Sequence, residues 1–365
     1  MKIGIDARSI GNKICGVSRV ALCQIKALSS IDSENEYIIY TDTLDTIPGL
    51  SDNFKVIRTD CNRMKIWNDY TFSKFLYRDN LDIFHSMHSW LPVIVPAKIG
   101  KLVTIYDIFT VTDPDFFARY KPFHRIFREY FRALTKLTVN RAKAIVTISN
   151  YCANEIKTVF NASDKRIEVV YLSPGIVPDT TSRTPDKLIK SNYLFYLGNF
   201  RSYKNVSTLI RGYACFIKHT PTPVDLVIAG NDDSAAIHDL CSNSGIKNRV
   251  HFIQNPSDDI VNSLYTHAAA FVFPSLYEGF GIPPIEAMSY GIPVIISDAD
   301  ALVETSGEAA LVFDNTSPED LAAKIVQILT DSELRNNLVQ RGYECALRYT
   351  WENSAKQLKA VYESM

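Results

Sequence analysis

The sequence predicts an α/β protein built from two doubly wound domains with parallel sheets. Short apolar runs alternate with helix-length segments, and several runs are apolar at successive positions, as strands covered on both faces require. The series is interrupted once, between Leu172 and Asn192, by a segment rich in proline and turn residues. Because one open sheet holding all of these strands would be unusual, the interruption predicts an interdomain linker and not a surface loop.

The predicted strands form two series on either side of this interruption. The first comprises residues 3–6, 37–41, 55–57, 82–85, 102–106, 144–148 and 167–170, and the second comprises residues 193–197, 225–229, 250–253, 270–273, 294–296 and 310–313. Strands that alternate with helices favour parallel sheets. We therefore expect an N-terminal domain of residues 1–172, a linker of residues 173–192 and a C-terminal domain of residues 193–349.

The end of the chain is predicted to be helical. Ser317 offers an N-cap and Pro318 follows at the first helical position, after which apolar residues recur on one helical face. A second helix is expected from Ser332 to about Tyr349. A third helix is expected over residues 350–365.

Composition and charge exclude several classes of protein. The 365-residue chain is 46% hydrophobic and 22% charged, which is typical of a globular protein and not of a disordered one. Its formal net charge is −1, so we expect no nucleic-acid partner. The 7 cysteines are scattered without a C-x-x-C pair, which disfavours a disulfide framework or a zinc site and indicates a cytoplasmic protein. Neither a signal peptide nor a membrane-spanning run is predicted.

The most informative segment is a glycine-containing loop between a predicted strand and a predicted helix, within residues 271–288. Such loops lie at the carboxyl ends of parallel strands, where α/β sheets bind ligands, and the N–H groups of a helix start suit a phosphate. Glu278 and Glu286 flank the turn with seven residues between them. A carboxylate accepts from two neighbouring hydroxyls at once, so each could hold a sugar ring. A capping glutamate and a solvated helix residue are the alternative.

This segment resembles the E-x7-E signature of the retaining glycosyltransferase family four, whose members have the GT-B fold. The resemblance covers nearly the whole chain and is carried by residues 1–8, 16–19, 84–88, 104–108, 147–150, 196–198, 204–205, 226–230, 291–295, 301–304 and 351–352. It implies two Rossmann-like domains facing across a cleft, the N-terminal one binding the acceptor and the C-terminal one the nucleotide sugar. It also implies that the helix of residues 350–365 crosses back to the N-terminal domain.

The resemblance further implies roles for individual donor-site residues. Glu286 would bind the ribose hydroxyls of the donor nucleotide, Glu278 would contact hydroxyls of the transferred sugar, and Lys204 would neutralise the diphosphate leaving group. The other predicted donor contacts are Gly16, Gly198, Arg201, Gly279, Phe280, Gly281 and Ile282. The family is metal-independent, so we expect no metal and no cofactor besides the nucleotide-sugar substrate. The string Asp298-Ala-Asp300 is interpreted as a turn after a strand and not as a metal-binding motif.

Two departures from the family pattern concern the chemistry. Family members usually carry His-Asp after a strand of the N-terminal domain, where this chain has Tyr106 and Asp107. Tyrosine donates a hydrogen bond but is a poor base near neutral pH. Members usually also carry a basic residue before the lysine, where this chain has Tyr203, and we expect Arg201 to supply the missing charge. The predicted catalytic residues are Glu278, Lys204, Tyr106 and Asp107.

Two histidines follow a predicted strand of the N-terminal half. His85 and His88 match a His-x-x-His of similar enzymes near the acceptor, so we predict both on the acceptor side. Histidines of the core or of a hydrogen-bond network are the alternative. Because no third ligand accompanies them, a metal site is disfavoured.

A basic and aromatic segment runs from Arg119 to Lys143 and contains one acidic residue, Glu129. Its aromatic residues are Tyr120, Phe123, Phe127, Tyr130 and Phe131. A helix of this kind suits an anionic membrane surface and would bring the site to a lipid-linked acceptor. We therefore predict peripheral association with the inner face of the plasma membrane. A solvated basic face opposite a core face is the alternative.

Together these features predict a retaining, metal-independent hexosyltransferase that uses a nucleotide sugar. The resemblance favours mannose from GDP-mannose, transferred to a lipid-linked or oligosaccharide acceptor in the synthesis of bacterial surface polysaccharide such as O-antigen or capsule. A rhamnosyltransferase or another hexosyltransferase of the same family is one alternative. A noncatalytic nucleotide-sugar-binding scaffold and a sugar-nucleotide epimerase of the same fold are the others, and turnover with and without acceptor separates them.

Overall fold

The chain divides into two compact units. The structure, a computed structural model, describes residues 1–10, 16–61, 66–113, 116, 123–178, 192–220, 223–231 and 234–365. The first unit comprises Met1–Leu172 and Trp351–Met365, and the second comprises Ser173–Thr350. The predicted linker of residues 173–192 begins at this division, and its residues 179–191 lie outside the described part of the chain.

The first unit is built on a parallel sheet. Its strands are β1 (Lys2–Asp6), β2 (Glu36–Thr41), β3 (Phe54–Arg58), β4 (Ile83–Ser86), β5 (Gly100–Thr104), β6 (Ala144–Thr147) and β7 (Ile167–Val169). They lie in the order β3-β2-β1-β4-β5-β6-β7, and every neighbouring pair is parallel. The order reverses direction at β1 and β4, which is the point where doubly wound sheets bind ligands at their carboxyl edge.

Helices cover both faces of this sheet. They are α1 (Gly16–Ile31), α2 (Ile66–Arg78), α3 (Phe109–Thr112), α4 (His124–Arg141) and α5 (Asn150–Phe160). Tyr37 and Ile39 of β2 belong to one hydrophobic cluster, whereas Ile38 and Tyr40 belong to another. Successive strand residues point to opposite faces, so each face has its own core. This two-sided burial explains why the strands read as continuous apolar runs.

The second unit repeats the arrangement. Its strands are β8 (Tyr193–Leu197), β9 (Asp225–Gly230), β10 (Val250–Gln254), β11 (Ala268–Phe273), β12 (Val294–Ser297) and β13 (Ala310–Phe313), in the order β10-β9-β8-β11-β12-β13. All neighbouring pairs are again parallel. Its helices are α6 (Val206–His219), α7 (Ala235–Asn243), α8 (Asp258–His267), α9 (Ile282–Ser289), α10 (Asp300–Ser306), α11 (Pro318–Thr330) and α12 (Ser332–Arg348). Each predicted strand of the chain corresponds to an observed strand, with ends shifted by at most two residues.

The helix caps of the second unit follow the sequence signals. The hydroxyl of Ser317 accepts a hydrogen bond of 3.1 Å from the backbone N–H of Asp320, which confirms the predicted cap of α11. The cap of α12 is Asp331, one residue before the predicted start, and its carboxylate accepts from the N–H of Leu334 at 2.9 Å. These bonds satisfy N–H groups that a helix start leaves unpaired.

The last helix, α13 (Trp351–Glu363), is part of the first unit. Leu358 and Tyr362 belong to the hydrophobic cluster that also contains Ile25 of α1. At the rim, Lys359 lies 3.5 Å from Asp32. Burial alone would raise the pKa of Asp32, but hydrogen bonds, chiefly from Asn35 and Tyr37, hold it at about 2. The helix is therefore joined to the unit by both apolar packing and a buried carboxylate network.

None of the helices in the described part of the chain combines the length and the apolar character that crossing a membrane requires.

Candidate functional site

The predicted strand–loop–helix segment is present in the second unit. The chain leaves β11 at Phe273 and enters α9 through Gly281, which has a φ of +94°. The positive φ favours glycine, and a Cβ atom at Gly281 would lie 2.4 Å from the Cδ2 atom of Leu302, so that side chain would have to shift. Prolines stand in the first turn of α9, where their missing N–H groups cost nothing. Backbone N–H groups at a helix start are the groups that suit an anion.

The loop is held against a short 3-10 turn, Ser202–Lys204, that follows β8. The N–H of Leu276 donates to the carbonyl oxygen of Tyr203 at 2.7 Å. The ammonium of Lys204 lies 2.5 Å from the carboxylate of Glu278, and the two side chains are only 13% and 14% exposed. The structure thus brings together the two charged groups that we predicted for the diphosphate and the transferred sugar.

Glu286 lies in the interior of the unit and is 4% exposed. One carboxylate oxygen accepts from the N–H groups of Gly175 and Ile176, both at 3.0 Å, and the other accepts from the hydroxyl of Tyr265 at 3.0 Å. Glu286 is therefore neither a cap nor a solvated helix residue. These three donors occupy most of the roughly four lone-pair sites of a carboxylate. A contact to two ribose hydroxyls, as predicted, would have to displace one of them.

Tyr265, Gly175 and Ile176 are the partners that sequence reasoning missed. Burial, then the charge of Glu286, raises the pKa of Tyr265 well above its ordinary value, so its hydroxyl stays a donor. Gly175 and Ile176 are 111 and 110 residues from Glu286 in the chain. No sequence pattern could have signalled these contacts, because they depend on how the segment after β7 crosses the second unit.

Gly198 and Arg201 lie at the carboxyl end of β8. A Cβ atom at Gly230 would be 2.0 Å from the carbonyl oxygen of Gly198, and one at Gly198 would be 2.6 Å from the hydroxyl of Tyr196. The backbone contact between the two strand ends therefore requires glycine at Gly230, whereas at Gly198 a Cβ atom would meet the end of the Tyr196 side chain. The side chain of Arg201 is exposed on the same short turn as Lys204. Both predicted donor-site cations accordingly stand within one turn of each other.

His85 is a core residue of the first unit. It is 0% exposed, with Nδ1 at 2.8 Å from the hydroxyl of Tyr362 and Nε2 at 2.8 Å from the hydroxyl of Thr104. Burial lowers the pKa of His85 to about 3, so the ring is neutral. This environment is the one expected if His85 is a hydrogen-bonded residue of the core, which was the alternative interpretation of the sequence. A contact between His85 and an acceptor, as predicted, would have to displace one of these two hydroxyl partners.

The other predicted residues of the first unit lie at or beside the carboxyl edge of its sheet. His88 follows β4, is half-buried, and has its ring centroid 5.0 Å from that of Trp90. Asp107 follows β5 and accepts from the N–H of Phe109 at 3.1 Å. Gly16 opens α1 with nothing within 4 Å of a Cβ placed there, so contacts in the described part of the chain do not demand glycine at this position.

Tyr106 is nearly enclosed at the end of the extended segment that contains β5. Its side chain is 6% exposed, and its hydroxyl has no hydrogen-bond partner among the described residues. Burial raises the pKa of Tyr106, so the phenol is neutral near pH 7. In this position Tyr106 can donate a hydrogen bond but cannot serve as a general base.

Helix α4 lies within the basic and aromatic segment, whose residues 119–122 lie outside the described part of the chain. Its large exposed side chains recur at helical spacing along one stripe: Phe123, Ile126, Phe127, Tyr130 and Leu137. Phe131 instead packs against Trp90, with ring centroids 5.0 Å apart. The alternative of a core face is therefore wrong for most of these aromatic residues, because they face solvent. We call these five exposed residues the α4 stripe.

The predicted turn at Asp298 and Asp300 is confirmed. Asp298 follows β12 and accepts from the N–H of Asn315 at 3.2 Å, while Asp300 opens α10. Within the described ranges, no group of three or more His, Cys, Asp or Glu residues is arranged to hold a metal ion.

Comparison with known proteins gives matches along most of the chain. The family model described as Glycosyltransferase Family 4 matches residues 16–173, and the one described as Glycosyl transferases group 1 matches residues 180–345. O-antigen chain mannosyltransferase B of Escherichia coli is 30% identical over 298 residues, which cover 78% of this chain and 75% of that protein. O-antigen chain mannosyltransferase RfbU of Salmonella typhimurium is 31% identical over 255 residues, or 68% of this chain and 67% of that protein.

Among solved structures, sucrose-phosphate synthase from Thermosynechococcus elongatus superimposes with a TM-score of 0.80 at 19% identity, covering 100% of this chain and 98% of that one. This likeness confirms the predicted fold, two parallel-sheet α/β domains of the GT-B type. The glycine loop with its two glutamates, the family matches on both halves and the identity to the two mannosyltransferases agree with one another. The chain is a member of glycosyltransferase family 4.

Proposed function

We propose that this protein transfers a hexosyl group from a nucleotide sugar to a growing glycan in the synthesis of bacterial surface polysaccharide. The contact between Lys204 and Glu278 beside the glycine loop carries the proposal, because it joins a cation for the leaving group to an acceptor for sugar hydroxyls. GDP-mannose is the favoured donor, since relatives at 30% and 31% identity are named O-antigen chain mannosyltransferases. Transfer of rhamnose or another hexose from its nucleotide-linked donor is the alternative.

The chemistry requires stabilisation of a charged transition state. As the bond at the anomeric carbon breaks, the sugar becomes oxocarbenium-like and the departing nucleoside diphosphate gathers negative charge. Lys204 and the N–H groups from Gly279 to Ile282 at the start of α9 would face that charge. In this proposal they supply the positive field without a divalent metal, and the transferred sugar keeps its anomeric configuration.

Donor binding would exchange the partners of the ion pair. Without donor, Lys204 and Glu278 neutralise each other in a site that is mostly screened from water. A diphosphate is a stronger partner for the ammonium than one carboxylate, because it carries more charge and more acceptor oxygens. Lys204 would turn to the diphosphate, and the released carboxylate of Glu278 would accept from hydroxyls of the sugar.

The acceptor would bind at the carboxyl edge of the first unit's sheet, near His88 and Asp107. Asp107 accepts from a backbone N–H, and its carboxylate would accept from a hydroxyl of the acceptor as well. Tyr106 would contribute a hydrogen bond and not proton abstraction. His85 would contribute indirectly, by joining α13 to β5 through its two hydrogen bonds.

A lipid-linked acceptor would meet the enzyme at a membrane surface through the α4 stripe. Phe127 and Tyr130 are 40% and 51% exposed, and basic residues such as Arg125 and Arg132 are exposed on the same helix. Exposed aromatics beside cations suit the headgroup region of an anionic bilayer. In this proposal the protein works as a peripheral protein at the inner face of the plasma membrane.

The test is release of nucleoside diphosphate from GDP-mannose, GDP-fucose, dTDP-rhamnose and UDP-sugars, with and without a membrane lipid extract. We expect release from one donor, raised by the extract, unchanged by chelators and lowered ~100-fold or more by Lys204→Met. Lys247→Met, an exposed lysine of the same unit, is the control. Tight donor binding without release in any arm would favour the scaffold, and conversion of the donor without acceptor would favour the epimerase.

A further inference from the structure

A cavity of about 480 Å³ lies at the amino edge of the sheet of the first unit. Its wall is formed where β4 and β5 begin and by the chain between α4 and β6. The residues proposed for the acceptor follow β4 and β5 at the opposite edge, so this cavity is separate from that site. Its volume falls in the range of pockets that bind small molecules.

Positive side chains dominate the wall. Four of them, Lys98, Lys101, Arg141 and Lys143, line the cavity together with one acidic residue, Asp82. The carboxylate of Asp82 accepts a hydrogen bond of 2.7 Å from the backbone N–H of Lys2.

The four cations bond to uncharged side chains or to main-chain oxygens. Their acceptors are the Asn80 side chain for Lys98, the Ile99 carbonyl for Lys101, the Pro92 carbonyl for Arg141 and the main-chain oxygen of Met365 for Lys143. Across the ranges that the structure describes, no carboxylate side chain lies within ion-pair distance of any of them. Lys98, Lys101 and Arg141 therefore keep unused N–H donors and a charge that no carboxylate side chain balances, while Lys143 is held by the main-chain oxygen of Met365.

Two of these cations are partly buried next to each other. Burial, then repulsion from Arg141, lowers the pKa of Lys101, and burial lowers the pKa of Arg141. Placing like charges together in a partly desolvated cavity opposes folding unless an anion enters. The arrangement is thus unfavourable when empty and becomes favourable with a negatively charged occupant.

We propose that this cavity binds a small phosphorylated anion, a phosphate ester or a diphosphate, with Lys101 and Arg141 as the inner contacts and Lys98 and Lys143 at the mouth. A guanidinium matches two phosphate oxygens at once, and an ammonium adds a movable point charge. Apolar wall residues such as Ile83 and Ile99 leave room for a small organic group. The cavity belongs to the first unit and the donor loop to the second, so its occupant would act as an effector and not as the substrate.

The proposed site separates the last two cations of the predicted basic segment from the α4 stripe. Arg141 and Lys143 stand at the C-terminal end of α4 and beyond it, and they face the cavity. The α4 stripe begins at the opposite end of the helix. A phosphate could come from a soluble ester or from a lipid headgroup, so the experiment includes an arm for each source.

The experiment is calorimetric titration of the full-length protein with inorganic pyrophosphate at physiological salt. We expect a binding event that Lys204→Met in the second unit and the exposed control Lys26→Met both retain. The double variant Lys101→Met, Arg141→Met should weaken it ~10-fold or more, because it removes two charge-assisted contacts. Equal affinity in this variant and the wild type, or loss of all binding in Lys204→Met alone, would overturn the proposal.

Thermal unfolding provides the readout of folding. Without ligand, the double variant should unfold at the same temperature as the wild type or above it, because repulsion has been removed. Pyrophosphate should raise the unfolding temperature of the wild type and not that of the double variant. If the double variant does not fold, the single Lys101→Met variant serves in its place.

Vesicles containing phosphatidylglycerol form the lipid arm. If the natural occupant of the cavity is a soluble molecule, the double variant should bind these vesicles as well as the wild type does. Vesicle binding that is lost in the double variant, together with no pyrophosphate binding by the wild type, would assign the phosphate to a lipid and overturn the soluble occupant.

Discussion

Replacing Glu286 by alanine tests the central contact of the second unit. In the structure its carboxylate holds the N–H groups of Gly175 and Ile176 and the hydroxyl of Tyr265, each at 3.0 Å. Glu286→Ala removes the acceptor for all three donors in a position that is 4% exposed. The substitution should therefore release the segment after β7 from α9, in addition to any loss of ribose contact.

The magnitude follows from these three bonds. Hydrogen bonds to a charged acceptor contribute ~1.5–3 kcal/mol each, and entry of water into the space left by the side chain offsets part of the loss. We expect a destabilisation of about 4 kcal/mol for Glu286→Ala. Glu286→Gln keeps one oxygen for the two backbone N–H groups and loses the charge, so about 1–2 kcal/mol is expected. Tyr265→Phe removes a single donor and should leave both backbone bonds in place.

Hydrogen exchange measured by mass spectrometry reports these amides directly. Exchange at Gly175 and Ile176 should accelerate at least ~10-fold in Glu286→Ala, since each factor of ten corresponds to 1.4 kcal/mol. Glu319→Ala, an exposed glutamate of α11, is the matched control. Unchanged exchange at both amides in Glu286→Ala would refute the assignment of Glu286 as the residue that anchors this segment. Donor affinity measured in Glu286→Gln then tests ribose binding with less disturbance of the fold.

Three further perturbations follow from the structure. The pKa of Asp32 is held at about 2, below its ordinary 3.8, so its ~2 kcal/mol contribution to the free energy of unfolding should be complete above about pH 4 and lost as pH falls toward 2. The difference in that free energy between wild type and Asp32→Asn, measured by urea unfolding, should shrink over the same range. A difference that stays constant with pH would contradict this. Gly281→Ala should destabilise the second unit by ~1–2 kcal/mol in thermal unfolding, because alanine disfavours a φ of +94° and its Cβ would meet Leu302. A Gly281→Ala variant as stable as the wild type would refute the predicted backbone strain. The double variant Phe127→Ser, Tyr130→Ser should sediment several-fold less with anionic vesicles, because two exposed aromatic side chains are lost. Tyr77→Ser, which replaces a side chain that is 60% exposed on α2, is the control. An equal loss of vesicle binding in Tyr77→Ser would show that the α4 stripe is not the membrane contact.

Local sequence signals were sufficient for the elements and for much of the donor loop. A strand covered on both faces must be apolar at successive positions, so β8 and β11 could be read directly from their residues. Ser317 and Gly281 mark helix starts through chemistry that acts within a few residues. The pair Lys204 and Glu278 was predicted as part of one site by the resemblance to family four. Both residues follow strands of one parallel sheet, whose carboxyl ends share an edge.

Only the tertiary structure decided the partners of buried polar groups, because such partners are joined by packing and not by sequence spacing. His85 looked like an acceptor residue, yet its ring bonds to Tyr362, 277 residues away. Glu286 looked like an open ligand contact, yet backbone groups more than 100 residues distant occupy it. Composition likewise indicated a basic and aromatic helix within residues 119–143 but could not determine whether protein or solvent covers its aromatic side chains. That depends on which neighbours the fold supplies, and here the stripe is exposed.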